Sequence, residues 1–439
     1  MGLRNRWFAR ALTLATVLGL SGVGLLTSTA AAQTGSVPGV TADSIKLGYI
    51  SSDTGAASAI YKNAAKACQA RIDAQNAKGG VNGRKIDLQA VDDQSGGGNL
   101  TGAKDLVENR NVFLVINNSA LAFLAQRYLT GAGVPMIGPG FDGNYYLDKA
   151  NENLVISAIG NEATVPGLTY DTPTRVMKKL GATKVASLGY SASPSSAAAA
   201  KATNQYAAPA QGLKAVYLNN TVDFGVTDVG PIVLGIKNSG ADGAYLPLNG
   251  DTNVAIVQGL QQSGVNMKAN VLATGYGQGL LDQPIAKTMT PSDVIISGFR
   301  PVELGGTTIK QFQGNLKKYA GLTGVPDLGT YTGYIMCDMF IKGAQAAGKN
   351  MTRQSFVDAV RGLQNYNGAG LTCQPITLSA AKFGTVDPTA CTWLIGVKNG
   401  KFVLLNKGKP ITGKIVGDPA LLQQYGVTSG SSATTAAPK

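Results

Sequence analysis

Twice along this chain, short apolar runs alternate with longer segments of helical periodicity. That alternation restricts the fold more than any other feature, because strands separated by helices need crossover connections and so assemble into parallel sheets. In the first series, strands are expected at 45–50, 84–91, 112–117, 134–137 and 154–159, with helices at 56–78, 100–109 and 120–131 between them. Ile60, Ala64, Ala67, Cys68 and Ile72 recur on one face of the helix at 56–78. The second series predicts strands at 185–190, 215–219, 243–248, 271–274 and 294–299, with helices at 195–207, 229–238 and 253–263. Helices at 308–319, 331–347 and 353–363 follow. The repeat is one of architecture; the two halves share no clear sequence identity.

Turn chemistry sharpens this reading. Gly79-Gly80 stops the helix, Asn82-Gly83 forms a tight turn, and the strand that follows ends on Asp92-Asp93. Near the C-terminus, Lys398-Asn399-Gly400 separates two apolar runs, and Asn-Gly suits the primed turns of a β-hairpin.

The N-terminal 32 residues read as a secretory leader. Arg4, Arg6 and Arg10 precede an apolar stretch at 11–26, and Ala30-Ala31-Ala32 offers a small-residue cleavage site. At 16 residues the stretch is short for a membrane span. No Cys lies near the site, which argues against a lipid anchor there. A disordered tail rich in Ser, Thr, Ala and Gly is expected at 426–439.

Without the leader, Lys and Arg number 38 − 3 = 35 against 25 Asp and Glu. The basic residues are scattered and do not interleave with aromatics, so a mildly basic surface is expected and no nucleic-acid site. The chain has no histidine, which removes Ser-His-Asp and Cys-His catalysis and His metal sites. No GxSxG elbow is present; Gly275–Gly279 has the wrong spacing for a dinucleotide loop, and Gly96-Gly97-Gly98 lacks the Lys of a P-loop. No catalytic residue, metal or cofactor is expected. The four cysteines allow three connectivities. Cys373 and Cys391 flank one loop. Cys68 and Cys337 bridge if their helices lie side by side, and are otherwise buried thiols.

Several segments, taken in order, resemble the type I periplasmic-binding-protein fold. The branch is that of the leucine/isoleucine/valine-binding-protein-like receptors of ABC transporters. They are the first strand and loop at 45–55, the stretch 79–93, "AGVPMIGPG" at 132–140, Asp223-Phe224, "SGADGAYLPL" at 239–248 and the Asn399-Gly400-Lys401-Phe402 hairpin. The resemblance implies an α/β fold with two Rossmann-like lobes, mostly parallel sheets, a three-stranded hinge and a ligand cleft between the lobes. Lobe 1 would comprise 45–159 with 300–365, and lobe 2 would comprise 160–299 with 366–420. Parallel sheets bind ligands beyond the carboxyl ends of their strands, which agrees with that location.

On this reading, Ser51, Ser52 and Thr54 follow the first strand, where hydroxyls and amides hold a polar ligand group; helix capping is the plainer role. Tyr61 stands where the family places an aromatic wall. Asn118 and Ser119 follow the third strand. Phe141 and Asp142 replace the family's small-residue and Thr pair, which counts against a branched-chain amino acid. In lobe 2, Tyr190 stands in for an altered Tyr-Gly contact, Asn249 and Asp251 close the strand at 243–248, and Tyr276 lies in a loop lacking the family's ammonium-holding acid.

The expectation is an extracytoplasmic, non-enzymatic, monomeric receptor. It would capture a small polar or carboxylate-bearing solute (amino acid, amide or organic acid) by hinge closure and deliver it to an ABC permease. A ligand sensor on the same fold is the alternative, with an envelope hydrolase behind it.

Overall fold

The computed structural model describes residues 37–159, 165–379 and 384–427. The leader and its cleavage site lie outside them, as does the expected tail from residue 428 on. Val427, placed in that tail by composition, is buried and its amide donates to the Leu422 carbonyl (2.8 Å).

The first sheet is parallel throughout, in the order β2-β1-β3-β4-β5. Its strands are β1 (Ser44–Ser51), β2 (Lys85–Asp92), β3 (Leu114–Asn118), β4 (Met136–Gly138) and β5 (Val155–Ser157). Ile45, Leu47, Tyr49 and Ile50 of β1 are all buried, as expected for a central parallel strand covered on both faces. The Asn82-Gly83 turn forms as its residues require. Both have positive φ (52° and 84°), and Val81 and Arg84 exchange backbone hydrogen bonds of 2.8 and 2.9 Å.

The second sheet holds β6 (Leu168–Tyr170), β7 (Lys184–Tyr190), β8 (Lys214–Val222), β9 (Gly243–Leu246), β10 (Ala269–Leu272), β11 (Asp293–Ser297), β12 (Thr389–Lys398), β13 (Lys401–Leu404) and β14 (Ile411–Gly417). Its order is β6-β14-β12-β11-β10-β9-β7-β8, with β13 on β12. Strands β7 to β11 pair in parallel, while β12, β13, β14 and β6 are antiparallel additions. Sequence periodicity missed β6, β14 and the helix Thr172–Lys179 that follows β6. The expected 399–400 hairpin is present, with Lys398 opposite Lys401.

The chain crosses between the two sheets after β5, after β11 and before β12, so the fold has two lobes joined by three crossings. The last two crossings pair with each other. Phe299 bridges Thr372, the Arg300 amide donates to the Leu371 carbonyl (2.7 Å), and the Cys373 amide donates to the Gly298 carbonyl (2.8 Å).

Helix Leu328–Ala347 runs through the core beside the first sheet, with 15 of its 20 residues buried. It lies against helix Ala64–Asn76 so closely that a Cβ on Gly333 would come within 2.3 Å of the Ala64 carbonyl oxygen. The single helix expected at 56–78 is broken into Ser58–Tyr61 and Ala64–Asn76, and Gly329 abuts the Ile60 carbonyl at that break. The same apposition closes the Cys68–Cys337 disulfide, with Cα atoms 5.3 Å apart. Cys373 and Cys391 form the second bridge (5.5 Å). Phe356, on helix Arg353–Arg361, meets Phe113 edge to face at 5.6 Å and tightens the same core. No helix among the described residues is long and apolar enough to cross a membrane.

Candidate functional site

Each sheet contains a point where consecutive connections leave in opposite directions: β1 lies between β2 and β3, and β7 lies between β8 and β9. Such points open crevices beyond the strands' carboxyl ends. Residues beyond the carboxyl ends of both sheets line one cavity of about 350 Å³, within the range of small-molecule sites.

From the first lobe, Ile60 and Tyr61 come from the one-turn helix Ser58–Tyr61, Ala120 follows β3, and Phe141 and Asp142 follow β4. From the second, Tyr190 ends β7, Phe224 follows β8, and Asn249 precedes helix Gly250–Gln262. Tyr190 and Phe224 meet edge to face, with centroids 5.0 Å apart. The Tyr190 hydroxyl donates to Thr252 Oγ1 (2.7 Å) and accepts from the Asn249 amide (3.1 Å), so its ring is held as a wall. Asn249 Nδ2 reaches the Ala56 carbonyl (3.4 Å), a contact from the second lobe to the first. The Tyr61 side chain is buried, and that burial pushes its hydroxyl pKa above the ordinary value.

Asp142 is 2% exposed. It accepts from the Phe123 amide (2.8 Å) and from the Tyr145 hydroxyl (3.0 Å). Burial drives its pKa up to about 7 against the pull of those hydrogen bonds. No Lys or Arg lines the cavity among the described residues.

Five of the twelve residues singled out from sequence thus share the cavity: Tyr61, Phe141, Asp142, Tyr190 and Asn249. The other seven do not line it, and each has a partner inside the protein. Ser51 Oγ donates to Asp53 (2.7 Å), Ser52 Oγ to Asp93 (2.8 Å), and Thr54 Oγ1 to Asp92 (2.6 Å). Burial opposes charge on Asp92, but hydrogen bonds from Thr54, Gln94 and Asp53 outweigh it and hold its pKa below the ordinary value. Asn118 Nδ2 donates to the Tyr49 hydroxyl (2.9 Å), and Ser119 Oγ accepts from the Leu121 amide (3.0 Å). Asp251 is exposed and accepts from Gln283 (3.2 Å). Tyr276 donates to Glu303 (2.6 Å) and its ring lies on Phe402.

Sequence reading missed the inner part of the cavity. It extends into the second lobe past Tyr245 of β9, Ala273 just after β10 and Ile296 of β11. Beyond them lie Thr172 and Pro173 at the start of a helix, and Thr372 with the Cys373–Cys391 bridge. Phe224 sits in a segment whose pattern was recognised but whose ring was not weighed. Thr172 and Thr372 carry no local signal, since only the folding of distant segments brings them to the cavity.

The sequence profile of the periplasmic binding protein family matches residues 44–401. No curated protein matches the chain. Among solved structures, a fatty acid ABC transporter substrate-binding protein from Thermomonospora curvata superposes with a TM-score of 0.69 at 19% identity, covering 89% of this chain and 97% of its own. The branched-chain amino acid binding protein LivJ from Streptococcus pneumoniae, in complex with isoleucine, gives 0.66 at 19% identity, covering 84% and 100%. A solute binding protein from R. palustris in complex with 4-hydroxybenzoate gives 0.66 at 20% identity, covering 87% and 100%. At these identities the structures share a fold with this chain, while the family match spans most of its length. The chain belongs to the periplasmic binding protein family, the extracytoplasmic substrate-binding proteins, and has their two-lobed fold.

Proposed function

We propose that this protein captures a small organic solute between its two lobes outside the cytoplasm and hands it to an ABC permease, without chemical change to the solute. The observation that carries this reading is a cavity lined from both lobes beyond the carboxyl ends of their sheets. Its walls are the Tyr61, Phe141, Tyr190 and Phe224 rings. A solute there touches both lobes at once, so it favours the closed arrangement by its differential contact with that state.

The lining supports a solute with an apolar body. The rings offer apolar faces, and the Tyr61 hydroxyl offers a hydrogen bond to an oxygen or amide group at the cleft. An α-ammonium group at the first-lobe side of the cleft would meet Asp142, a buried acid whose pKa near 7 leaves its charge incomplete at neutral pH. The similar structures carry isoleucine and 4-hydroxybenzoate. Of these two, the lining here favours the aromatic solute over the amino acid.

The test is a thermal-shift panel of amino acids, amides, alcohols and aromatic or aliphatic acids on the purified mature chain. A solute that binds only the folded protein adds about 2.7 kcal/mol at a hundred times its Kd and raises the melting temperature. Small-angle scattering should then show compaction with the same solute. A panel without a shift, or a shift without compaction, would contradict the reading.

A further inference from the structure

The two lobes also meet away from the cavity. After β10, the chain passes through Gly277 into the one-turn helix Gln278–Leu281 of the second lobe. Against it lies the loop 321–327 of the first lobe, which joins helix Gly306–Ala320 to helix Leu328–Ala347. The Gln278 amide donates to the Val325 carbonyl (2.8 Å), and the Val325 amide donates back to Gln278 Oε1 (3.2 Å). The approach is close: a Cβ on Gly277 would come within 3.1 Å of the Asp327 Cα. Leu322 and Val325 of the loop and Leu280 and Leu281 of the helix belong to one apolar cluster. None of these residues lines the cavity.

Each side of this contact is held in shape by its own lobe. Gln278 Nε2 donates to Asp282 Oδ1 (2.8 Å), which leaves Oε1 turned towards Val325. Asp327 Oδ1 accepts from the Thr330 amide (2.8 Å) and hydroxyl (2.6 Å), which caps the helix and fixes the end of the loop. The Leu322 amide donates to the Leu316 carbonyl (3.1 Å) and fixes its start. Little further ordering is therefore needed when the two sides meet. A second contact between the lobes stands at the mouth of the cavity. There a Cβ on Gly225 would come within 2.9 Å of the Ala56 Cβ, and the Ala56 carbonyl accepts from Asn249.

We propose that the reciprocal pairing of Gln278 with Val325 is a latch that holds the two lobes together without help from a solute. This goes beyond the solute-binding reading, because the latch makes no contact with the cavity. Apparent affinity scales with the fraction of protein already in the binding-competent arrangement. Gln278 thus acts as a positioning residue: it strengthens the capture of any solute by raising that fraction.

The test is hydrogen exchange, resolved to single amides by mass spectrometry, on residues 33–439. The protein is first freed of small molecules by unfolding with its disulfides intact and refolding. In the wild type, the amides of Gln278 and Val325 should exchange well below the free-chain rate. Gln278→Ala removes the acceptor of the Val325 amide but leaves the backbone amide at 278 with its own acceptor. That amide should nonetheless exchange about five- to tenfold faster, because the lobes part more often, and small-angle scattering should show a larger radius of gyration. Gln261→Ala, which removes a hydrogen bond to the Thr288 carbonyl within the second lobe, should change neither. Free-chain exchange at both wild-type amides overturns the proposal. So does an unchanged amide at 278 with an unchanged radius in Gln278→Ala. No solute enters this experiment, so its failure leaves the solute-binding reading standing.

Discussion

Asn249 and Tyr190 hold each other at the mouth of the cavity: the Asn249 amide donates to the Tyr190 hydroxyl (3.1 Å), while the Asn249 side chain reaches across to the Ala56 carbonyl of the other lobe. The residue that fixes the aromatic wall thus also touches the opposite lobe. Tyr190→Phe removes the acceptor of the Asn249 amide and the donor to Thr252. We expect a stability loss of about 1–2 kcal/mol in urea unfolding, together with weaker solute binding. Asn249→Ala should weaken binding and leave the closed state less populated by small-angle scattering. Its effect on urea stability should be smaller, because its side chain is only partly buried.

Asp142 gives the molecule a pH signature. Its folded pKa is raised from 3.8 to about 7, so the native state holds a proton that the unfolded state releases. Stability contributed through this group therefore falls as pH rises from about 4 to 7, and the burial penalty is fully present above that window. At 1.36 kcal/mol per pKa unit the window spans roughly 4 kcal/mol. Asp53, Asp171 and Asp327 are raised by burial too and act in the same direction. The comparison of interest is thus wild type against Asp142→Asn. The variant should lose this part of the slope and be the more stable protein at pH 8 in chemical denaturation. A parallel pair of pH profiles would contradict the assignment.

The two disulfides should be separable by their consequences. Cys68–Cys337 closes a loop of 269 residues and Cys373–Cys391 one of 18. In the chain-entropy picture these are worth roughly 5 and roughly 3 kcal/mol. A Cys68→Ala/Cys337→Ala variant should show the larger drop in urea midpoint. Cys373→Ala/Cys391→Ala should show the smaller drop and also altered solute affinity, because that bridge lines the cavity.

Thr172→Val offers an opposite sign. It replaces an unpartnered buried hydroxyl by a methyl of the same shape, so the ligand-free protein should gain about 1–3 kcal/mol. A loss of stability would mean that the hydroxyl already has a partner in the free protein.

Much of this fold was legible because it rests on local chemistry. Asn82-Gly83 and Asn399-Gly400 adopt the positive φ values that their residue types permit. The buried strands of both sheets are near-continuous apolar runs, and their ends and the segments that follow them supplied five residues of the cavity. What escaped was decided at a distance. Strand β6 is three residues long and exists because Tyr170 pairs with Ile415. The 56–78 helix keeps its apolar period in sequence, yet it breaks where Gly329 of a distant helix closes against Ile60. Ser52, Thr54 and Asn118 have residue types that would suit a ligand, but here they bond Asp93, Asp92 and Tyr49. A sequence does not reveal which partner a hydroxyl will meet.

The central claim is that a solute occupies the cavity shared by the two lobes. Native mass spectrometry of residues 33–439, alone and after incubation with a small-molecule extract of its source cells, tests it most directly when paired with Ala120→Trp, which fills the cavity from the first lobe. The expected result is one small molecule per wild-type chain, released on denaturation, and none on the folded variant. An adduct equally abundant on both proteins, or no adduct on the wild type in either preparation, would contradict it.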